Sequence, residues 1–179
     1  KDPDSRVSGK GIKELLAAKF AVKQVKSAEL DKLLEHFTWY LKYKKPLVGI
    51  KVATTFNGIM GQKGDSRAWI TSERARAYGH WLRLHYESIL VGAATVIQDN
   101  PSLNIRYLKN KRTPLRVVLD PNARALISRP LLSHNLIKIE PQRTLWCIYD
   151  KVWNKLSKHT CYKIKQLGIK ILLFNQGKP

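Results

Sequence analysis

Acidic side chains are scarce. Thirteen Asp and Glu stand against 33 Lys and Arg in 179 residues, a formal net charge of +20 with a pI near 10.2. Such a surface draws polyanions, whether nucleic acid, acidic lipid or phosphorylated metabolites. The excess is no isolated tail, although the last third is the most basic: after Asn122 only Glu140 and Asp150 oppose eleven Lys and Arg. Lysine-rich stretches form a solvated face more often than a binding surface. Cysteine is nearly absent too. Cys147 and Cys161 make neither a disulfide framework nor a four-cysteine zinc site, so a reducing compartment, the cytoplasm, fits best. No apolar run approaches the roughly 18 residues that a membrane-spanning helix needs. Lys1–Ser5 carries no initiator Met, signal peptide or transit segment, and we expect part of a longer polypeptide.

What is present suffices for a core. Hydrophobic residues make up 44% and charged residues 26% of the chain, which excludes a disordered segment. The length suits one domain and is short for two. Up to about residue 45 the pattern is helical. Gly9–Gly11 precedes Ile12, Leu15, Leu16 and Phe20. Ser27-Ala28-Glu29 then opens a second run, with Leu30, Leu33, Leu34, Phe37, Tyr40 and Leu41 at three-four spacing. Pro46 marks a boundary.

Beyond it the order changes. The β-branched run Leu47–Thr55 predicts a buried strand, and Asn57-Gly58 a turn. Thr71 or Ser72 is placed to cap a helix from Glu73 to about Tyr86. Short apolar strands are expected at Ser88–Ala93, Pro114–Asp120, Thr144–Tyr149 and Gly168–Phe174, with an amphipathic helix over Lys151–Gln166. Strand, helix, strand in this order predicts an α/β fold with a mainly parallel central sheet and flanking helices. Ligands on such sheets sit at the carboxyl ends of strands. The loops of interest are therefore Thr54–Gly58, Gly92–Asp99 and Asp120–Asn122.

Familiar site signatures are missing. No G-x-G-x-x-G or G-x-x-x-x-G-K-[ST] run follows a predicted strand. His85-Tyr86-Glu87 has the His-x-Glu half of a zinc nucleobase deaminase, but no Pro-Cys-x-x-Cys follows to complete the metal shell. No metal site is expected in this chain.

The densest segment is Ser66–Arg106, and here the sequence resembles a known family. Lys51-Val52-Ala53-Thr54-Thr55-Phe56-Asn57-Gly58 is followed by Trp69-Ile70-Thr71-Ser72 and then Leu82-Arg83. Next come Gly92-Ala93-Ala94-Thr95-Val96, Asp99-Asn100-Pro101, Leu103-Asn104-Ile105-Arg106 and Arg116-Val117-Val118-Leu119-Asp120. In order and spacing these are similar to the reductase half of the bifunctional deaminase/reductase of riboflavin biosynthesis. Upstream, Asp2-Pro3-Asp4 with Gly9-Lys10-Gly11-Ile12 resembles the end of that family's deaminase domain. The resemblance implies that residues 1–45 are the deaminase end and an interdomain helical bridge. Residues 46–179 would be the N-terminal part of a dihydrofolate-reductase-like reductase domain, incomplete at its C-terminus. Any zinc would belong to deaminase segments outside this chain.

The activity implied is NADPH-dependent reduction of 5-amino-6-(5-phosphoribosylamino)uracil to the ribitylamino form, with a phosphorylated small-molecule substrate and room for a homodimer through the reductase domain. Matched position by position, Ala53, Trp69, Thr95 and Asp99 correspond to cofactor contacts, and Lys51, Arg83, Leu103 and Arg106 to substrate contacts; no catalytic residue is assigned. The chemistry is compatible: Trp69 offers a flat apolar face, and Arg83 and Arg106 can fork onto a phosphate. Asn57, Arg67 and Pro121 depart from the family pattern, standing where Asp and two Ser are usual. Two other readings remain at this point. One is a nucleic-acid-binding module on a reductase-like fold, with Trp153 and Tyr162 exposed on a basic stripe. The other is a generic dihydrofolate-reductase-like enzyme, which leaves the spacing of Asp99-Asn100-Pro101 and Arg106 unexplained.

Overall fold

The computed structural model describes residues 1–60, 70–106 and 113–175. They fall into two compact units, Lys1–Lys51 and Val52–Pro179.

The first unit is helical. A turn at Asp4 opens it: the Asp4 carboxylate accepts the Arg6 N–H at 2.9 Å and pairs with the Arg6 guanidinium at 2.6 Å. That cation and the backbone bond hold the carboxyl at about 2, below its ordinary 3.8. Gly9, with φ of 78°, leads into α1 (Lys10–Ala17). The single helix expected from the Leu30–Leu41 spacing is two. Helix α2 (Ala28–Leu33) is capped by Ser27, whose Oγ accepts from the Leu30 N–H; α3 (Glu35–Tyr43) follows after Leu34. Leu34 has φ −92° and ψ 0°, off helical geometry, so the apolar stripe continues while the helix axis breaks.

Residues 47–55 are not a strand. Val48 and Ile50 are 76% and 87% exposed, and among the described residues no sheet pairing includes this segment. β-branched composition favours extended backbone, but a strand also needs a neighbour to satisfy its N–H and C=O groups. The turn at its end does form. Thr55 Oγ1 donates to Asn57 Oδ1 at 2.5 Å, the Thr55 N–H donates to the Ile59 carbonyl at 2.8 Å, and Gly58 takes φ 81°.

The second unit is built on four parallel strands in the order β1 (Ser88–Gly92), β2 (Leu115–Leu119), β3 (Thr144–Tyr149) and β4 (Lys170–Phe174). In register, Val91 faces Val118, Val118 faces Trp146 and Trp146 faces Ile171. That row is one buried face of the sheet, since neighbours in register point the same way. Val96, Leu136, Ile137 and Ile164 close over it from the crossovers, each such side chain contributing roughly 1.5–3 kcal/mol on burial.

Helix α4 (Glu73–His85) precedes β1, and the Ser72 Oγ accepts the Ala75 N–H, as its cap position predicts. The stretch expected as a loop after β1 is instead a helix, α5 (Ala93–Asp99). Short helices α6 (Arg124–Ile127) and α7 (Asn135–Lys138) join β2 to β3. The expected helix 151–166 is divided into α8 (Asp150–Trp153) and α9 (Lys158–Gln166), because the Ser157 Oγ accepts the Thr160 N–H and starts a new helix.

Candidate functional site

The carboxyl ends of β1 and β2 lie side by side, with Gly92 opposite Leu119. Helix α5 leaves the first of them. Among the described residues no side chain caps its start, and a Cβ at Gly92 would meet nothing within 4 Å. Thr95 and Asp99 are one turn apart on this helix, Thr95 half-buried and Asp99 exposed. Asn100 ends it with φ of 42°. Its side chain ties the motif down: Oδ1 accepts the Asn135 N–H at 3.0 Å, and Nδ2 donates to the Ser133 carbonyl at 3.1 Å. Asn135 Nδ2 returns a bond to the Asn100 carbonyl at 2.8 Å. The middle residue of Asp99-Asn100-Pro101 is therefore structural, and Asp99 is left facing solvent.

The loop after Pro101 crosses to α4. Leu103 is 7% exposed with φ of 51°, a left-handed conformation that costs a γ-branched residue of order 1–3 kcal/mol. This bend turns the next residues onto the helix. Arg83 Nη1 donates to the Asn104 carbonyl at 2.7 Å, and the Arg106 N–H donates to His80 Nδ1 at 3.1 Å. Burial first, and then the Arg106 charge, lower the pKa of Arg83 below its ordinary value. Among the described residues neither guanidinium has a carboxylate partner; the one ion pair there is Arg6 with Asp4. Two cations held together without an anion make a corner that attracts phosphate or carboxylate.

His80 was not among the residues the sequence suggested. It is 5% exposed, and burial, with Arg83 and Arg106 beside it, pushes its pKa down from 6.5 to about 4. The available signal was the spacing His80-x-x-Arg83, which stacks both side chains on one helix face.

Of the other expected positions, Ala53 is half-buried and Lys51 exposed, both in the segment that forms no strand. Trp69 lies outside the described residues, as do Ser66 and Arg67. The loop Asp120–Asn122 proves to be an anchor. Asp120 Oδ2 accepts the N–H groups of Ala125 and Leu126 and the Trp146 indole N–H, at 2.9–3.0 Å. Arg116, at the other end of the same motif, is buried and donates to the Ile139 and Glu140 carbonyls at 2.8 and 2.5 Å. Arg116-Val117-Val118-Leu119-Asp120 thus fixes β2 from both ends. Among the described residues no three His, Cys, Asp or Glu cluster as a metal site, and no helix is long and apolar enough to cross a membrane. His85 is on α4, against Trp81. Of the two aromatics a stacking surface would present, Tyr162 is 64% exposed while Trp153 packs against the core.

Comparison with known proteins gives a consistent pattern. The model of the RibD C-terminal domain family matches residues 46–147. The riboflavin biosynthesis protein RibD of Aquifex aeolicus is 31% identical over 173 residues, spanning 96% of this chain and 46% of that protein. The RibD of Synechocystis is 33% identical over 179 residues, with 99% and 46% covered. Among solved structures, Acinetobacter baumannii RibD superposes with a TM-score of 0.75 at 26% identity, over 99% of this chain and 46% of that one. A Thermotoga maritima diaminohydroxyphosphoribosylaminopyrimidine deaminase/5-amino-6-(5-phosphoribosylamino)uracil reductase gives 0.69 at 27% identity, over 96% and 51%. The chain spans about half the length of the relatives it matches.

Proposed function

The chain belongs to the RibD C-terminal domain family, with that family's dihydrofolate-reductase-like α/β sheet, and on this premise we propose that it carries the reductase step of riboflavin biosynthesis. The substrate is 5-amino-6-(5-phosphoribosylamino)uracil, the product its ribitylamino form, and the hydride donor NADPH. Residues 46–179 belong to the reductase domain, and residues 1–45 to the deaminase end and the bridge. The setting is cytoplasmic. The observation that carries the proposal is the nearness of the Arg83 and Arg106 charges, with no carboxylate partner for either guanidinium among the described residues.

The chain's residues fit a dinucleotide at the other end of the site. Among the described residues the start of α5 has no side-chain cap and nothing crowds Gly92. Backbone N–H groups in such a place donate to a phosphate oxygen, with the Thr95 hydroxyl beside them and Asp99 one turn on to accept from a hydroxyl. When bound, the nicotinamide supplies a hydride to the sugar carbon that bears the amine. The protein's own contribution is positioning. Arg83 and Arg106 hold the ribose phosphate, and buried Leu103 sets the bend that presents Arg106. The phosphate is remote from the reacting carbon, so its binding energy serves to orient the ring-opened sugar.

The test is reduction by the full chain, followed as loss of NADPH absorbance on adding the ribosylamino-uracil phosphate, with product identified by mass. Turnover is expected with NADPH and with this substrate. Failure of NADPH or substrate to bind to the folded chain would overturn the assignment. Tight, salt-dependent RNA binding that Arg106→Ala weakens, with no reduction, would favour the nucleic-acid module instead.

A further inference from the structure

We infer that His80 is a positioning residue of the phosphate corner: a neutral imidazole on α4 whose Nδ1 holds the backbone of Arg106 so that the two guanidiniums converge. The inference rests on the phosphate-binding role proposed above for Arg83 and Arg106.

Three observations carry it. The Arg106 N–H points at Nδ1 at 3.1 Å, so that nitrogen presents a lone pair and the ring proton is on Nε2. His80 and Arg83 lie three residues apart on α4, and each takes one main-chain group of the same loop, Arg83 the Asn104 carbonyl and His80 the Arg106 N–H. Between these anchors and Pro101 lies Leu103, in a left-handed conformation a leucine does not adopt by preference. A strained loop keeps one geometry only when its surroundings hold it, and these two bonds are holding groups that reach across from another element.

Charge explains the choice of residue. Lys or Arg at position 80 has no acceptor for the Arg106 N–H and adds a third cation. A carboxylate would accept the N–H but would also neutralise the corner and compete with phosphate. A neutral imidazole accepts without cancelling positive charge. Burial, Arg83 on its own helix and Arg106 on the loop all keep it neutral, and the Asn104 carbonyl acts in the opposite sense. The corner therefore keeps its geometry at neutral pH and loses the Nδ1 acceptor as pH falls towards 4.

The experiment uses the full chain, with ribose 5-phosphate as probe in calorimetric titration and long-range proton–nitrogen NMR of the imidazole. In the unmodified chain His80 should show the Nε2–H tautomer from neutral pH down to about pH 4. His80→Leu, which keeps bulk without an acceptor, should weaken ribose 5-phosphate binding about tenfold or more. It should also raise KM for the ribosylamino substrate while leaving KM for NADPH in place and kcat nearly so. His80→Asn, which can set an amide oxygen near the Nδ1 position, should recover most of the loss. Binding by His80→Leu equal to that of the unmodified chain overturns the inference. So does equal impairment of the Leu and Asn variants, or an Nδ1–H tautomer at neutral pH. If His80→Leu does not fold, the tautomer and the Asn variant still decide. The underlying phosphate assignment fails separately: there the unmodified chain and Arg106→Ala bind ribose 5-phosphate alike, while His80 keeps its Nε2–H tautomer.

Discussion

Arg83 donates to the main-chain carbonyl of Asn104 at 2.7 Å, so a residue matched to substrate binding also fastens the loop that carries the second cation. The two arginines are consequently not equivalent. Arg83 is half-buried on a helix, while Arg106 is exposed on the loop. Removing the first disturbs geometry and charge together; removing the second takes away charge alone.

Arg106→Ala should therefore weaken apparent binding of the ribosylamino phosphate by about one to two orders of magnitude. That is the loss of a charge-assisted bond worth roughly 1.5–3 kcal/mol. The affinity for NADPH should barely change. Arg106→Lys should recover only part of the loss if the contact is bidentate. Arg83→Ala should cost at least as much in binding and also lower the unfolding midpoint, because the Asn104 carbonyl loses its donor. Steady-state kinetics with a thermal melt on each variant separate the two. Equal melts for Arg83→Ala and Arg106→Ala would contradict the anchoring role.

Asp99→Ala is the converse case. Asp99 is exposed and its side chain makes no bond among the described residues, whereas Asn100 makes the ties to Ser133 and Asn135. The variant should keep its melting temperature and lose NADPH affinity with KM for the ribosylamino substrate unchanged. Asn100→Ala should do the reverse, losing stability first, by about 1–3 kcal/mol for the polar groups left unpaired. Fluorescence titration with NADPH and chemical denaturation read the pair.

What was legible in the sequence follows what each signal physically encodes. Thr144–Tyr149 was legible because a short apolar run bounded by polar residues is buried on both faces, and it is the full extent of β3. Thr71-Ser72 announced α4 because a cap is a local bond, and Ser72 makes it. Leu47–Thr55 misled because composition reports a preference for extended backbone and says nothing of a partner strand. Leu34 and Ser157 broke helices inside unbroken apolar spacing, which periodicity does not detect. The motif match brought out Arg83, Leu103 and Arg106 as a group. It passed over His80, whose bond to the Arg106 N–H spans 26 positions of sequence, and it did not separate the structural Asp120 and Asn100 from the other matched positions.

Acid should destabilise the second unit in a window set by buried imidazoles. His80 is lowered to about 4 and His134, fully buried, is also pushed below 6.5 by its burial. A group whose folded pKa is depressed leaves the unfolded chain holding more protons between the two values. Stability is thus complete above about pH 6.5 and declines as pH falls through the folded pKa. Asp4, in the first unit and lowered to about 2, weakens that unit only below its ordinary 3.8. The unfolding midpoint should drop between about pH 6.5 and 4, and His80→Asn and His134→Asn should each flatten that drop. A midpoint constant across the window would show that neither ring is neutral for the reason given.

Asp120 discriminates a structural from a cofactor role at the end of β2. Its Oδ2 serves three buried donors, the N–H groups of Ala125 and Leu126 and the Trp146 indole, and its own N–H donates to the Cys147 carbonyl. Asp120→Ala leaves three donors without an acceptor at about 1–3 kcal/mol each, and neighbouring losses add incompletely, so a total of about 3–5 kcal/mol is expected. Asp120→Asn keeps one oxygen that can serve part of the set, and should lose less. Trp146 has no exposed surface, so its emission should shift with the Ala variant as the indole loses its acceptor. If Asp120 instead touched NADPH, the Ala variant would keep its denaturation midpoint and lose cofactor affinity. The buried position and the three bonds point to the first result.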